Sequence, residues 1–359
     1  MKSCKFPVFF PDATKGLIRS LDTSDIESTK TEGILVNTYH LYKDLGIDYI
    51  KKRGGIKKFM DWKGYVISDS GGFQVGSLIK MNPSAGFVTN KGVTFKPNGE
   101  KKINLTPEKS IRFQMNLGVD MVVALDDFTD PKGSYEEALE SVERTIIWAK
   151  KSISEFKLIC RQKKLNDSTR PLILGVVQGG YFQDLREYCA KELVKIGFDG
   201  LGYGGWPLRQ AQGKQNSDFD YESAKTIADN TPKNYFLYGL GIGKPDEVVK
   251  LSQMGYHIFD CVLPTRDARH GRAYVFNAQS IDDINLKEEG FYSFLDLTKG
   301  KMMDDDDRIS NACDCHTCKR YTRSYLAHLF KVEDFTAGRL LTIHNLRFYS
   351  ILMEKLRNT

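Results

Sequence analysis

Met121-Val122-Val123-Ala124-Leu125-Asp126-Asp127 runs from unbroken apolar residues straight into two carboxylates. A short apolar run rich in branched side chains reads as a strand buried on both faces, and the charge marks its end. The same design recurs in both directions along the chain. Upstream stand Gly33-Ile34-Leu35-Val36 and Tyr65-Val66-Ile67-Ser68, the second ending on Asp69. Downstream stand Leu172 to Val177 followed by Gln178, Asp199 to Tyr203, Tyr235 to Tyr238, and Ile258-Phe259-Asp260-Cys261.

Helical patterns separate these runs. Tyr135 to Phe156 reads as a long helix, and Asp184 to Ile196 carries Leu185, Cys189, Leu193 and Ile196 on one face. Pro245-Asp246-Glu247 opens another with proline and an acidic first turn. Repeated strand–loop–helix units predict an all-parallel sheet with helices outside. The fold class expected is α/β, a (β/α)8 TIM barrel. In it Asp69, Asp126, Gln178 and Asp260 converge at the C-terminal face of the strands. A doubly wound sheet is the alternative and would gather fewer strand ends at one crevice.

Two stretches break the rhythm. Residues 76–104, with Asn82-Pro83, Asn90-Lys91-Gly92 and Asn98-Gly99, read as an inserted hairpin region. Residues 278–312 are polar and hold Asp304 to Asp307, read as a solvated loop. The expected organisation is a main barrel part over 1–277 and a zinc-binding subdomain with closing helices over 278–359.

The 359 residues, 41% hydrophobic and 27% charged, suit a soluble globular protein with a large core. The net charge of +6 permits a polyanionic partner without requiring one. No apolar run approaches the roughly 18 residues of a membrane span, and the N-terminal segment lacks the apolar core of a secretory signal. No membrane association and a cytoplasmic location are expected.

Of seven cysteines, Cys4, Cys160, Cys189 and Cys261 are scattered, whereas Cys313, Cys315 and Cys318 fall within six residues. Thiols so close can converge on one tetrahedral zinc, and they argue against a disulfide framework. His316, His328 and His344 are the candidates for the fourth ligand. His344 is preferred, anchoring a helix start across a longer loop. Such a closed site is structural, and Lys319, Arg320, Arg323, Lys331, Arg339 and Arg347 around it could meet phosphates.

The strand-end acids invite chemistry. Asp69 lies in Ser68-Asp69-Ser70-Gly71-Gly72-Phe73, where the glycines allow a tight turn and Phe73 could stack on a flat ligand. Asp69 or Ser70 could equally cap the helix that follows. Asp126 and Asp127 should project in opposite directions, so that an inward Asp126 could accept from the N–H edge of a guanine-like base, or either residue could instead be a loop cap. Asp260 could be a nucleophile at a sugar carbon, or a carboxylate bonded only to nearby backbone. Arg266, Arg269 and Arg272 beside it suit a phosphate backbone or local ion pairs.

At these residues the sequence resembles the tRNA-guanine transglycosylase (queuine tRNA-ribosyltransferase) family. The similar blocks are Asn37-Thr38-Tyr39-His40-Leu41, Ser68 to Gln74, Val177-Gln178-Gly179-Gly180, Phe259 to Arg266, and Cys313 to Cys318 with His344-Asn345-Leu346. The resemblance implies a cytoplasmic pentosyltransferase, commonly a homodimer, that acts on tRNA with a G-U-N anticodon and exchanges guanine for a 7-deazaguanine base. It implies Asp260 as nucleophile on C1′, Asp69 as acid and base, and Asp126 and Ser70 at the base. Gln178, Gly200 and Leu201 would meet the carbonyl edge, and Phe73 and Tyr238 would sandwich the ring. Cys313, Cys315, Cys318 and His344 match its ligands for one structural Zn2+ per chain.

Two departures stand out. Asp127-Phe128 follow the base-reading aspartate where bacterial members typically have Glu-Cys. Leu201 to Gly205 stands where they have Leu-Ala-Val-Gly-Glu, which favours queuine, or a neutral or differently substituted deazaguanine, over an aminomethyl precursor, although Tyr203 could narrow the pocket. The competing readings are an archaeosine-type or DNA-directed deazaguanine transglycosylase and a non-catalytic RNA-binding partner subunit. The last should lack Asp69 or Asp260, and both are present.

Overall fold

The computed structural model describes residues 1, 4–72, 76, 79, 82–96, 102–205 and 219–358. Thirteen strands, β1 to β13 in chain order, are present among them. They are β1 (Val8–Pro11), β2 (Gly33–Val36), β3 (Tyr65–Ser68), β4 (Gly86–Thr89), β5 (Gly92–Phe95), β6 (Ile103–Leu105) and β7 (Met121–Val123). The others are β8 (Leu172–Val177), β9 (Gly200–Tyr203), β10 (Phe236–Gly239), β11 (Ile258–Cys261), β12 (Arg272–Phe276) and β13 (Tyr292–Asp296).

Eight of them form one sheet in the order β1-β11-β10-β9-β8-β7-β3-β2, all neighbours parallel. A parallel bridge between Asp12 and Leu35, with the Ala13 amide donating to the Leu35 carbonyl at 2.7 Å, brings the first and last strands together. Strand order around the ring is then chain order, as a barrel requires. Seven of these strands coincide with the apolar runs read from sequence. The eighth, β1, is four residues long and ends in Pro11, too short and too close to the terminus to carry a period of its own.

The strands alternate strictly. Phe10, Leu35, Ile67, Met121, Val123, Leu174, Val176, Tyr238 and Ile258 pack together inside the barrel. Phe9, Ile34, Val36, Val66, Val122, Ile173, Val177, Leu237 and Phe259 face the helices in the outer layer. Pleating places every second residue on the same face, so the polar residues just beyond Phe10, Ile67, Val176 and Ile258 inherit the inward direction. Those residues are Asp12, Asp69, Gln178 and Asp260.

The outer helices follow the sequence pattern. Tyr135–Gln162 starts at a Ser134/Glu137 capping box and runs longer than the expected segment. Gln183–Ile196 and Pro245–Gln253 fall close to where they were read. The inserted region contains the β4–β5 hairpin, and β6 adds a third antiparallel strand to it. Beyond β11, the β12–β13 hairpin leads to the terminal helices Arg323–Lys331 and Phe335–Leu356. His344 therefore lies in the middle of a 22-residue helix and does not anchor a helix start. Central placement gives it a rigid, fully buried backbone.

Candidate active site and metal centre

The two inward acids sit on opposite sides of β1 and β2, which lie between β11 and β3 in the ring. Asp69 accepts three hydrogen bonds: from the Asn37 amide nitrogen at 2.5 Å, the Thr38 backbone N–H at 2.7 Å and the Gly71 N–H at 3.2 Å. Asn37 is doubly used, since its side-chain oxygen also caps the helix Thr38–Asp44 by accepting from His40 N–H at 2.9 Å. Three donors favour the charged carboxylate. Burial opposes them and wins, with help from the negative charges of Asp12 and Asp260, and Asp69 is pushed up to about 7. A cap-like bond to Gly71 is thus present, but it accounts for only one of Asp69's partners.

Asp260 is buried and accepts from the Tyr238 hydroxyl at 2.7 Å and the Gly241 N–H at 2.9 Å, both on the same oxygen. Its other oxygen receives no side-chain or backbone donor among the described residues. Burial again dominates and pushes Asp260 up to about 6. The structure revises the part expected of Tyr238. Its ring is 0% exposed among the barrel's inner apolar residues and shows no face to a stacked base, while its hydroxyl orients Asp260. Phe73, the other expected stacking residue, lies outside the described residues.

Asp126 accepts from the Gln178 amide at 2.7 Å, with the Ser70 hydroxyl at the edge of hydrogen-bond range, 3.5 Å. Burial pushes it up to about 6. Asp127 turns the other way and pairs with Arg144, so the expected divergence of the two acids holds. Gln178 is fixed at its far end by accepting from Thr129 N–H at 3.2 Å. Its amide rests on the β9 turn so closely that a Cβ on Gly204 would come within 2.6 Å of it.

That contact corrects the expectation for Gly200 and Leu201. Both are ladder residues, Gly200 at the entry of β9 and Leu201 facing the outer helices. The strand reaches the mouth at Gly204, whose carbonyl accepts from Arg186 at 2.5 Å. Leu201 to Tyr203 of the block set against Leu-Ala-Val-Gly-Glu belong to β9, so only Gly204 and Gly205 lie beyond the strand, and residues 206–218 that follow lie outside the described residues. Tyr203 also points outward, against Arg186 at 4.8 Å and Phe219, and does not narrow the mouth.

Asp12 escaped the sequence reading along with β1. It lies two residues beyond Phe10, which is in register with Asp260, and so stands one step above Asp260 on the neighbouring strand. An alternating signal of one strand turn is too short to announce it.

The arginines after β11 divide. Arg266 and Arg272 are half-exposed and lie 3.4 Å and 3.9 Å from Asp267. Arg269 donates to the Thr265 carbonyl at 2.8 Å. Of the basic residues near the C-terminus, Arg323, Arg339 and Arg347 are held by Asp305, Asp25 and Asp314 with Glu354. Lys319, Arg320 and Lys331 are exposed. The acidic run packs on the helix start, with Asp306 accepting from the Ser324 hydroxyl at 2.6 Å.

The second constellation is compact. Single ligand atoms of Cys313, Cys315, Cys318 and His344 all lie within 4.8 Å of one another, and all four residues are buried. Tetrahedral zinc with Zn–S near 2.3 Å sets ligand atoms about 3.8 Å apart, and the group fits that with little movement. His344 turns Nδ1 to the thiols, 3.2 Å from the Cys318 sulfur, and Nε2 to the Tyr274 carbonyl at 2.8 Å. A carbonyl can only accept, so Nε2 carries the proton and Nδ1 keeps its lone pair for a metal. His316 and His328 are exposed and apart from the group. All seven cysteines are free, and burial pushes the scattered Cys4 and Cys189 up to about 12, out of reactive range.

The two constellations are mechanically joined. The neighbour of His344, Asn345, donates to the Pro264 carbonyl at 2.9 Å and the Arg272 carbonyl at 3.0 Å and accepts from Tyr274 N–H at 3.1 Å. The short helix Leu263–Arg269 that follows Asp260 is thereby tied to the helix that closes the metal group.

Comparison with known proteins agrees over the whole length. The profile of the family described as queuine tRNA-ribosyltransferase matches residues 1–359. The queuine tRNA-ribosyltransferase of Psychrobacter cryohalolentis is 35% identical over 354 residues, covering 98% of this chain and 85% of that protein. That of Blochmanniella pennsylvanica is 37% identical over 352 residues, covering 98% and 87%. That of Mannheimia succiniciproducens is 35% identical over 356 residues, covering 99% and 86%.

Proposed function

The chain belongs to the queuine tRNA-ribosyltransferase family, and on that premise we propose that it exchanges the wobble guanine of G-U-N anticodons for a 7-deazaguanine base through a covalent bond between Asp260 and the ribose. The observation that carries the reading is a pair of inward carboxylates with opposite partner sets. Among the described residues both donors to Asp260 fall on one oxygen, and Asp69 is pushed up to about 7.

The anionic Asp260 oxygen attacks C1′ of the target guanosine as the bond from C1′ to the base nitrogen breaks. Asp69, protonated, gives its proton to the departing base. The incoming 7-deazaguanine then loses its N9 proton to Asp69, attacks C1′, and returns the electron pair to Asp260. Two displacements retain configuration, as in retaining glycosidases, with a base in place of water. Asp126 would accept from the amidine edge and Gln178 would donate to the carbonyl, trading their mutual bond for the ligand. The target nucleotide must leave its stack, which costs least in a single-stranded loop.

Because Tyr203 faces the outer layer, no bulky residue of β9 opposes a large substituent, and queuine is the proposed base. Zinc held by Cys313, Cys315, Cys318 and His344 would fill all four positions with protein ligands, which makes it a staple with no part in the reaction. Arg266, Arg269 and Arg272 would meet the phosphates flanking the target. The working form is proposed to be a homodimer in the cytoplasm.

The experiment is exchange of labelled guanine into unmodified G-U-N tRNA, with queuine and the aminomethyl precursor as competitors. Label in tRNA, displaced best by queuine, is the expected result. Label in DNA but not tRNA would transfer the proposal to the DNA-directed reading.

A further inference from the structure

The ring of strands divides the mouth into two halves. Asp69, Asp126 and Gln178 come from β3, β7 and β8, and these are the groups with the donors and acceptors of a base edge. Asp260, Tyr238 and the Gly241 amide come from β10 and β11 on the other side, where the sugar must lie if Asp260 attacks it. Asp12 belongs to this second half. It follows β1, the strand next to β11, at the position one pleat above the residue in register with Asp260. The Thr14 hydroxyl donates to one of its oxygens at 2.6 Å, which orients the carboxylate. It is only partly exposed, and its charge is felt at both Asp69 and Asp260. The His40 imidazole, itself held below its ordinary pKa by burial, and the Arg269 guanidinium face it, and burial still holds its carboxyl above the ordinary range.

A third carboxylate beside two reacting acids carries an electrostatic cost, since its charge hinders ionisation of both neighbours. A hydrogen-bond donor on the substrate would offset that cost. In a polynucleotide the 3′ and 5′ oxygens of the target ribose are esterified, so the 2′-hydroxyl is its one free donor, and it is bonded to the carbon next to C1′. We propose that Asp12 is a specificity-determining residue that accepts a hydrogen bond from the 2′-hydroxyl of the target ribose and so selects RNA over DNA. The inference rests on the exchange reading above. It adds a residue and a discrimination that the exchange chemistry does not need.

The test uses two anticodon stem-loop RNAs that differ only in guanosine or 2′-deoxyguanosine at the target position, with labelled guanine. Wild-type enzyme should label the ribo form faster. A charge-assisted hydrogen bond corresponds to roughly 10- to 100-fold in rate. Asp12→Ala should lose about that factor on the ribo substrate and less than about 3-fold on the deoxy substrate, so the preference collapses. Asp12→Asn, which keeps an acceptor without the charge, should fall between. Thr14→Val, which leaves the carboxylate but frees it, should show a smaller loss in the same substrate alone. Metal content and melting temperature of each variant report folding. Parallel losses on both substrates, or an unchanged preference in Asp12→Ala, would overturn the proposal. Wild-type enzyme that labels neither RNA would instead strike the exchange reading, and this inference with it.

Discussion

The barrel mouth and the cysteine–histidine group are both clusters of buried ionisable side chains, yet they are built on opposite principles. In the mouth, like charges share a poorly solvated space, and each carboxylate is raised by burial. In the metal group, thiols and imidazole can all be neutralised by one cation, and the imidazole's remaining N–H is already satisfied by Tyr274. The difference teaches how to separate a reactive cluster from a structural one. Among the described residues the first leaves an Asp260 oxygen without a donor and three carboxylates without a paired cation, and the second has a use for the imidazole nitrogens and all three thiols.

The largest expected effect falls on the nucleophile. Asp260→Asn should reduce guanine exchange by roughly 10⁴-fold or more, because it removes the attacking atom while keeping the volume and the Tyr238 contact. Melting temperature should stay within a few degrees of wild type. A variant that kept more than about a tenth of the activity would erase the contrast between the two clusters.

Next comes the metal group. Structural zinc binds with about 10–16 kcal/mol in small peptides, a sum comparable to the whole stability of a domain. Cys318→Ala, or chelation at neutral pH, should therefore lower the melting temperature by more than about 10 °C and release one equivalent of zinc. Since Asn345 ties the same helix to the Pro264 carbonyl just after β11, exchange should fall as well, but as a consequence of loosened structure. Zinc content unchanged in the variant would defeat the assignment.

The pH profile sharpens the contrast at moderate cost. Exchange needs Asp260 ionised and Asp69 protonated in the first displacement. With Asp260 near 6 and Asp69 near 7, the rate should rise with pH up to about 6 and fall above about 7. Asp69→Asn should abolish the alkaline limb together with most of the activity. A flat profile between 5 and 8 would contradict both assignments.

The smallest effect is on stability. Asp69 is raised on folding, so its ionisation opposes the native state above that raised value, and the opposition vanishes below the unfolded carboxylate range. Asp69→Asn removes it. Part of Asp69 still reaches solvent, so the gain expected is only about 1–2 kcal/mol at pH 8, shrinking to nothing near pH 3. Urea unfolding at the two pH values measures it. Equal stability at both would mean that the mouth is less strained than its geometry implies.

Much of this was legible in the residues. Long apolar runs such as Leu172–Val177 announce strands without ambiguity, and their terminal acids marked the mouth. Three cysteines within six residues mark the metal group. What the sequence hid was short or depended on direction. β1 has four residues, and Asp12 was lost with it. Gly200 and Tyr238 were placed by resemblance alone: strand direction puts Gly200 at the entry of β9, away from the mouth, and pleating turns the Tyr238 ring into the core with its hydroxyl on Asp260. His344 showed its identity in sequence, but its place in mid-helix depends on where Asp334 caps that helix.

The most direct test is to trap the intermediate. Enzyme incubated with G-U-N tRNA and no incoming base, then denatured and digested with trypsin and nuclease, should yield a ribose-linked peptide spanning residues 251–266, whose only carboxylate side chain is Asp260. An adduct on the peptide spanning residues 64–80, whose only carboxylate side chain is Asp69, would contradict the account.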